Sequence, residues 1–126
     1  MQIKSTFLNL TKTYKNAINR LENLFGDQFE NAVKLINNSN GHIVVCGMGK
    51  SGLVGRKISA TLASTGTPSY FLHPSEAIHG DLGIVNSQSI VILISYSGET
   101  DEILALLPAL KRLNVKIIAF TGEVNS

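Results

Sequence analysis

Charge is scarce in this sequence: Asp, Glu, Lys and Arg make up 16% of its 126 residues, and the net charge is only +2. No Lys/Arg cluster and no interleaved basic and aromatic stripe occurs. The electrostatic footprint and the stacking platform of nucleic-acid binding are therefore missing. Cysteine is scarcer still. The single Cys46 excludes an intramolecular disulfide framework and a metal site built on two thiolates. Its place inside the run His42–Cys46 marks it as a buried structural thiol. Long hydrophobic runs are also lacking. The longest candidate, Ile90–Ile94, is far too short to span a bilayer, and Met1–Thr11 offers one lysine and a broken apolar stretch instead of a signal-peptide core. These absences predict a soluble cytoplasmic protein with no membrane or nucleic-acid partner.

What is present suits one α/β domain. An apolar fraction of 44% supplies a core, and the length fits a single domain. From Thr11 to Asn38 the residues Tyr14, Ala17, Ile18, Leu21, Leu24 and Phe25 recur at helical spacing. Gly26-Asp27 interrupts the run, and Phe29, Ala32, Val33 and Ile36 resume it. One bent helix or two consecutive helices fit this pattern equally. The period then changes. Ile43–Cys46 is an unbroken β-branched run, as in a parallel strand covered on both faces. Gly47–Gly52 reads as a loop leading to a helical stretch that ends near Ser64. Further strands are predicted at Ser69–Leu72, Ile90–Ile94 and Val115–Phe120. A short helical segment is predicted at Pro74–Ile78, and one helix through Ile103, Leu104, Leu107, Leu110 and Leu113, closed by Asn114. Strands alternating with helices imply βαβ units and a parallel sheet.

In such a sheet the loops leaving the carboxyl ends of the strands share one crevice. Three segments occupy that position: Gly47–Gly52, Ser95–Thr100 and Thr121–Asn125. Ser95-Tyr96-Ser97-Gly98-Glu99-Thr100 places three hydroxyls at a predicted helix start, where free N–H groups and the helix dipole suit a phosphate. The same residues would also serve as a capped helix start with nothing bound. Gly47, Gly49 and Gly52 reproduce the G-x-G-x-x-G spacing of a dinucleotide loop, but no acid ends the second strand, where Phe71-Leu72-His73-Pro74 stands. The spacing of a nucleotide-binding P-loop is absent as well, because Val44 occupies the first glycine position. Lys50 is either a solvated loop lysine or an ammonium that meets a substrate phosphate or a developing oxyanion.

His42 precedes the first strand, opposite the crevice, and reads as structural. His79, with Asp81 two residues on, is a candidate acid/base or orienting pair. His73, Glu76, His79 and Asp81 match no zinc spacing, so neither a metal nor a cofactor is expected. Glu99 is a general-base candidate or a helix-start partner.

These motifs carry a resemblance over nearly all of the chain from Thr11. Ser95–Thr100 resembles the phosphosugar loop of the sugar isomerase (SIS) domain family. Gly47–Gly52, Gly55–Lys57, Thr61–Pro68, His73–Gly83 and Glu102–Pro108 are similar to its arabinose 5-phosphate isomerase branch. The resemblance implies a three-layer, flavodoxin-like parallel-sheet domain at residues 41–126, incomplete at its C-terminus, with residues 1–40 as a helical segment packing on it. It implies interconversion of D-arabinose 5-phosphate and D-ribulose 5-phosphate through an enediol, a step toward a lipopolysaccharide sugar. Lys50, Glu99 and His79 become catalytic candidates; Ser51, Ser95, Ser97 and Thr100 phosphate contacts; and Gly47, Gly49 and Gly98 loop backbone. A homo-oligomer, often a tetramer, is implied too. Tyr96 departs from the branch, which usually has asparagine there. Family members continue through a segment carrying further catalytic residues, so the resemblance implies a chain incomplete as an isolated enzyme. The alternative reading is a non-catalytic phosphosugar-binding or regulatory SIS module.

Overall fold

The computed structural model describes residues 2–123; Val124 and Asn125, predicted to belong to the third loop, lie outside the described residues. The chain divides into two compact units, Met1–Leu35 and Ile36–Ser126. In the first, α1 spans Ile3–Leu24 and begins well before Thr11, where the sequence suggested. Phe25 leaves the helix with an extended ψ of 118°, and α2 follows at Asp27–Asn37 with Asp27 and Glu30 in its first turn. Carboxylates there complement the positive end of the helix. The Phe25 and Phe29 rings lie 5.2 Å apart across the break. Of the two arrangements the sequence allowed, two consecutive helices form.

The second unit is a four-stranded sheet in the order β2-β1-β3-β4, with β1 at Ile43–Gly47, β2 at Ser69–Leu72, β3 at Ile90–Ile94 and β4 at Lys116–Phe120. All three pairings are parallel. β1 is buried along its whole length and β3 over all but its last residue, as their unbroken apolar runs require of central strands covered twice. On one face Val44, Cys46, Val91 and Leu93 join Leu72, Ala77, Val85, Ile103, Leu106 and Leu110 in a single core cluster. The other face carries α3 (Gly49–Ser64). A side chain at Gly55 would meet Val45 at 3.2 Å and Phe71 at 3.1 Å, so this glycine lets the helix sit close. The layers are therefore helix, parallel sheet and helix. β4 has a neighbour on one side only and is half-exposed.

The helix expected through Ile103–Leu113 is two: α5 at Asp101–Leu104 and α6 at Leu107–Arg112. Pro108 has no N–H to offer the Leu104 carbonyl, so a continuous helix would forfeit a bond and force a clash. The buried face survives the break: Ile103, Leu106 and Leu110 are all within 3% of full burial. Asn114 adopts φ 53°, the left-handed residue that closes α6. Between β2 and β3 lie α4 (Pro74–Ile78) and a 3-10 turn at Asp81–Ile84. Among the described residues no helix is long and apolar enough to cross a membrane.

Candidate functional site

Strand register fixes the site. Gly47 stands opposite Ile94, and Ile94 opposite Phe120. The three segments that follow therefore leave the sheet side by side, with adjacent strands about 4.8 Å apart. Tight packing aims the first of them. A side chain at Gly52 would lie 2.7 Å from the Gly47 carbonyl oxygen, so α3 starts almost on top of the end of β1.

Gly49 has φ +51°, a conformation that side chains resist. The sequence suggested a loop over Gly47–Gly52. In the structure Gly47 ends β1, and Gly49–Gly52 are the first turn of α3. Met48 provides no side-chain cap, and the first backbone bond of α3 runs from the Gly52 N–H to the Met48 carbonyl. The N–H groups of Gly49, Lys50 and Ser51 thus point out of the helix start without a helical acceptor. This 16-residue helix carries the full macrodipole of its class, whereas α5, at four residues, adds little. The positive helix end that the sequence assigned to the Ser95–Thr100 side is therefore supplied mainly from the Lys50 side. Lys50 is exposed and Ser51 half-buried.

The second segment is folded on itself. Ser95 is 6% exposed, and its hydroxyl lies 2.8 Å from that of Thr100; one donates to the other, leaving one hydroxyl proton of the pair free. The Gly98 N–H bonds the Ser95 carbonyl, a tight turn that Gly98 completes at φ 72°. Ser97 Oγ accepts the Glu99 N–H at 3.2 Å and keeps its own proton for an acceptor outside. The N–H groups of Tyr96, Ser97 and Thr100 have no protein acceptor among the described residues. Ser97 and Glu99 are exposed and Thr100 is half-buried.

A third set of bonds was not legible in the sequence. The Ser95 N–H bonds the Phe120 carbonyl, and the Gly122 N–H bonds the Tyr96 carbonyl. The second and third segments are thereby zipped together. The Tyr96 ring, 80% exposed, lies over Gly122, where a side chain would come within 2.8 Å of it. Beside the zip, Leu93, Ile103, Leu107, Ile117 and Phe120 line an apolar groove of about 240 Å³ that Ser95 and Gly98 border.

No hydrogen bond or ion pair joins a histidine to the hydroxyl loop among the described residues. His73 Nδ1 accepts the Ser75 N–H at 3.3 Å and caps α4. His79 ends α4 and is exposed; no hydrogen bond joins it to Asp81 among the described residues. His42 precedes β1 at the far end of the strands, its ring 5.6 Å from that of Tyr70. Cys46 is 1% exposed, and burial pushes its thiol up to about 12, which removes it as a nucleophile at neutral pH. No group of three or more His, Cys, Asp or Glu side chains among the described residues forms a metal-binding set. The arrangement sets hydroxyl donors and unsatisfied amides at the carboxyl end of a parallel sheet, with Lys50 and Glu99 exposed on two of the segments that leave it.

Comparison with known proteins accords with that geometry. The SIS domain profile matches residues 35–126. An arabinose 5-phosphate isomerase, KpsF, of Escherichia coli O6:H1 is 51% identical over 124 residues, which are 98% of this chain and 37% of that protein. The chain spans about a third of the length of the curated relatives it matches. The E. coli CFT073 protein c3406, solved in complex with arabinose 5-phosphate, superposes with a TM-score of 0.84 at 43% identity, over all of this chain and 69% of that one. A sugar-phosphate isomerase described as putative, from Listeria monocytogenes, gives a TM-score of 0.90 at 35% identity over all of this chain and 68% of its own. This chain belongs to the SIS domain family, on its arabinose 5-phosphate isomerase branch.

Proposed function

We propose that the chain holds a phosphosugar for aldose–ketose isomerisation, with D-arabinose 5-phosphate and D-ribulose 5-phosphate as the pair interconverted. The observation that carries the reading is the register that sets the uncapped start of α3, with Lys50, beside the Ser95–Thr100 loop. A phosphate monoester near neutral pH is a dianion rich in acceptor oxygens. Free amides, hydroxyl protons and a helix N-terminus complement it. In this reading Ser51, Ser95, Ser97 and Thr100 contact the phosphate, with Ser95 and Thr100 acting as one hydroxyl pair, and Gly47, Gly49 and Gly98 shape the backbone that carries the amides.

The reaction moves a proton from C2 of the aldose to C1 while the carbonyl passes from C1 to C2. It needs a base for the carbon-bound proton and a donor for the enediolate oxygen. Lys50 is assigned the oxyanion, Glu99 the proton transfer, and His79 a share of the acid/base work on the hydroxyls. Both Lys50 and Glu99 are exposed, and the single ion pair among the described residues, Glu30–Lys34, involves neither. They are therefore not engaged in fixed pairs elsewhere.

The test is calorimetric binding of arabinose 5-phosphate and of unphosphorylated arabinose to the wild type and Ser97→Ala. Loss of one hydrogen bond to a charged group, about 1.5–3 kcal/mol, predicts at least a tenfold weaker affinity for the phosphate ester and no change for the free sugar. Equal effects on both sugars reject the phosphate assignment. Formation of ribulose 5-phosphate is then followed with this chain and with a version extended by the C-terminal SIS segment of a relative. Binding without turnover in both forms favours the non-catalytic module.

A further inference from the structure

Glycine fills three of the first seven positions of α3, at Gly49, Gly52 and Gly55, and no side chain caps the helix. A start so composed is pliable by itself. Lys50 and the open amides of Gly49, Lys50 and Ser51 hang on it, so whatever holds this turn also holds their aim. The holding contacts come from β2. Ser69 and Phe71, two residues apart, share the face of that strand that meets α3. The Ser69 hydroxyl donates to Ser59 Oγ at 3.2 Å and ties the second half of the helix. Phe71, level with Val45 in the register, ties the first half. Side chains at Gly52 and Gly55 would stand 3.5 Å from its Cζ and 3.1 Å from its Cε2. The ring edge therefore lies along both bare positions, which neighbour each other on the helix surface.

The ring is covered in its turn. Arg56, the residue after Gly55, sets its guanidinium 4.3 Å from the ring centroid, within the range of a cation–π contact. Among the described residues Arg56 forms no ion pair, so no carboxylate competes for it. Arg56 belongs to the helix and Phe71 to the strand, and their stack bridges the two elements across the glycine contacts. We propose that Phe71 and Arg56 are positioning residues for the phosphosugar. The ring is a wedge that sets the height of the first two turns of α3 on the sheet, and the guanidinium holds the wedge in place. The inference rests on the reading of this helix start as part of the phosphate site. Neither residue is assigned a contact with the ligand.

Calorimetric binding of arabinose 5-phosphate to the full chain tests it, at a temperature well below the thermal midpoint of every variant. Arg56→Met is expected to weaken affinity about two- to fivefold, the worth of an exposed cation–π contact. Phe71→Leu, which withdraws the ring tip from Gly52, is expected to weaken it at least as much. Lys57→Met removes the same charge from the next residue and is expected to leave affinity unchanged. In a Phe71→Leu background Arg56→Met is expected to have no further effect. The amide signals of Gly49, Lys50 and Ser51 report the aim without a ligand. They are expected to shift in Arg56→Met and to hold their places in Lys57→Met. A merely structural role would lower the thermal midpoint and leave affinity and these signals unmoved. That outcome overturns the inference and leaves the proposed function standing. So does an Arg56→Met effect that persists without the ring, or one that Lys57→Met equals. A wild type that does not bind the phosphosugar is a separate result, and it overturns the proposed function and this inference together.

Discussion

Gly52→Ala tests the packing that aims α3 at the crevice. The new methyl would stand 2.7 Å from the Gly47 carbonyl oxygen and 3.3 Å from its carbon, with Phe71 Cζ at 3.5 Å. Backbone cannot swing aside as the end of a side chain can, so the helix must retreat from β1 by several tenths of an ångström. Overpacking of this kind costs about 1–3 kcal/mol. Against it, alanine recovers up to about 1 kcal/mol of helix propensity over glycine, and less in the first turn. The net expectation is a loss of about 1–2 kcal/mol, or a midpoint lowered by about 5–10 °C for a unit of this size. Differential scanning calorimetry of wild type and variant measures it. Gly49→Ala is the matched control. A side chain there meets nothing within 4 Å but must adopt φ +51°, so its cost, about 1–2 kcal/mol, comes from conformation alone. If Gly52→Ala is neutral or stabilising, as at an ordinary exposed helical glycine, the contact between α3 and the end of β1 is not tight and the aim of Lys50 is not fixed by it.

Two further outcomes follow from local contacts. Cys46 titrates near 12 in the folded chain against 9.0 for a free thiol. A raised pKa means that the unfolded state releases its proton first, so the contribution is complete below pH 9 and declines as pH climbs toward 12; Cys46→Ala should flatten this decline in urea midpoints taken at pH 8, 9.5 and 10.5, and parallel profiles would refute the burial argument. Gly122→Ala would push a methyl to 2.8 Å from the Tyr96 ring, so its destabilisation should largely vanish in a Tyr96→Ala background; strictly additive changes in unfolding free energy would show that the ring does not rest on Gly122.

The strands were legible because burial on both faces leaves a plain mark: Ile43–Cys46 and Ile90–Ile94 have no polar residue to hide. Asn114 and Cys46 were legible for similarly local reasons, a turn residue after an apolar period and a thiol within a strand. The first turn of α3 was not, because three glycines in six residues read as a loop until their separate duties are known. Gly47 and Gly52 permit close approach, and Gly49 supplies a positive φ. The break between α5 and α6 is written in Pro108, yet the apolar period runs through the break and masks it. The start of α1 was missed because Ile3, Phe7 and Leu10 look scattered against a 3.6-residue template and fall into line only at 3.5. The Ser95–Thr100 hydroxyl pair depends on the turn that Gly98 completes, and the zip between Tyr96 and Gly122 on strand register, neither of which a single sequence contains.

A helix start usually closes its free amides with Ser, Thr, Asp or Asn, and lacking that cap costs about 0.5–2 kcal/mol. α3 begins on Met48 and leaves three amides open, at the carboxyl end of the sheet where the neighbouring segment also leaves the amides of Tyr96, Ser97 and Thr100 without acceptors among the described residues. Neither deficit is relieved by a side chain of the other segment, although register sets them side by side. Water can satisfy these groups singly. An anion that accepts from both at once satisfies them together and meets the dipole of α3, so stability withheld from the empty fold reappears as affinity. A carboxylate would engage fewer donors than the three outer oxygens of a phosphate ester, and under the proposed function this inequality would favour a phosphorylated ligand over a merely acidic one.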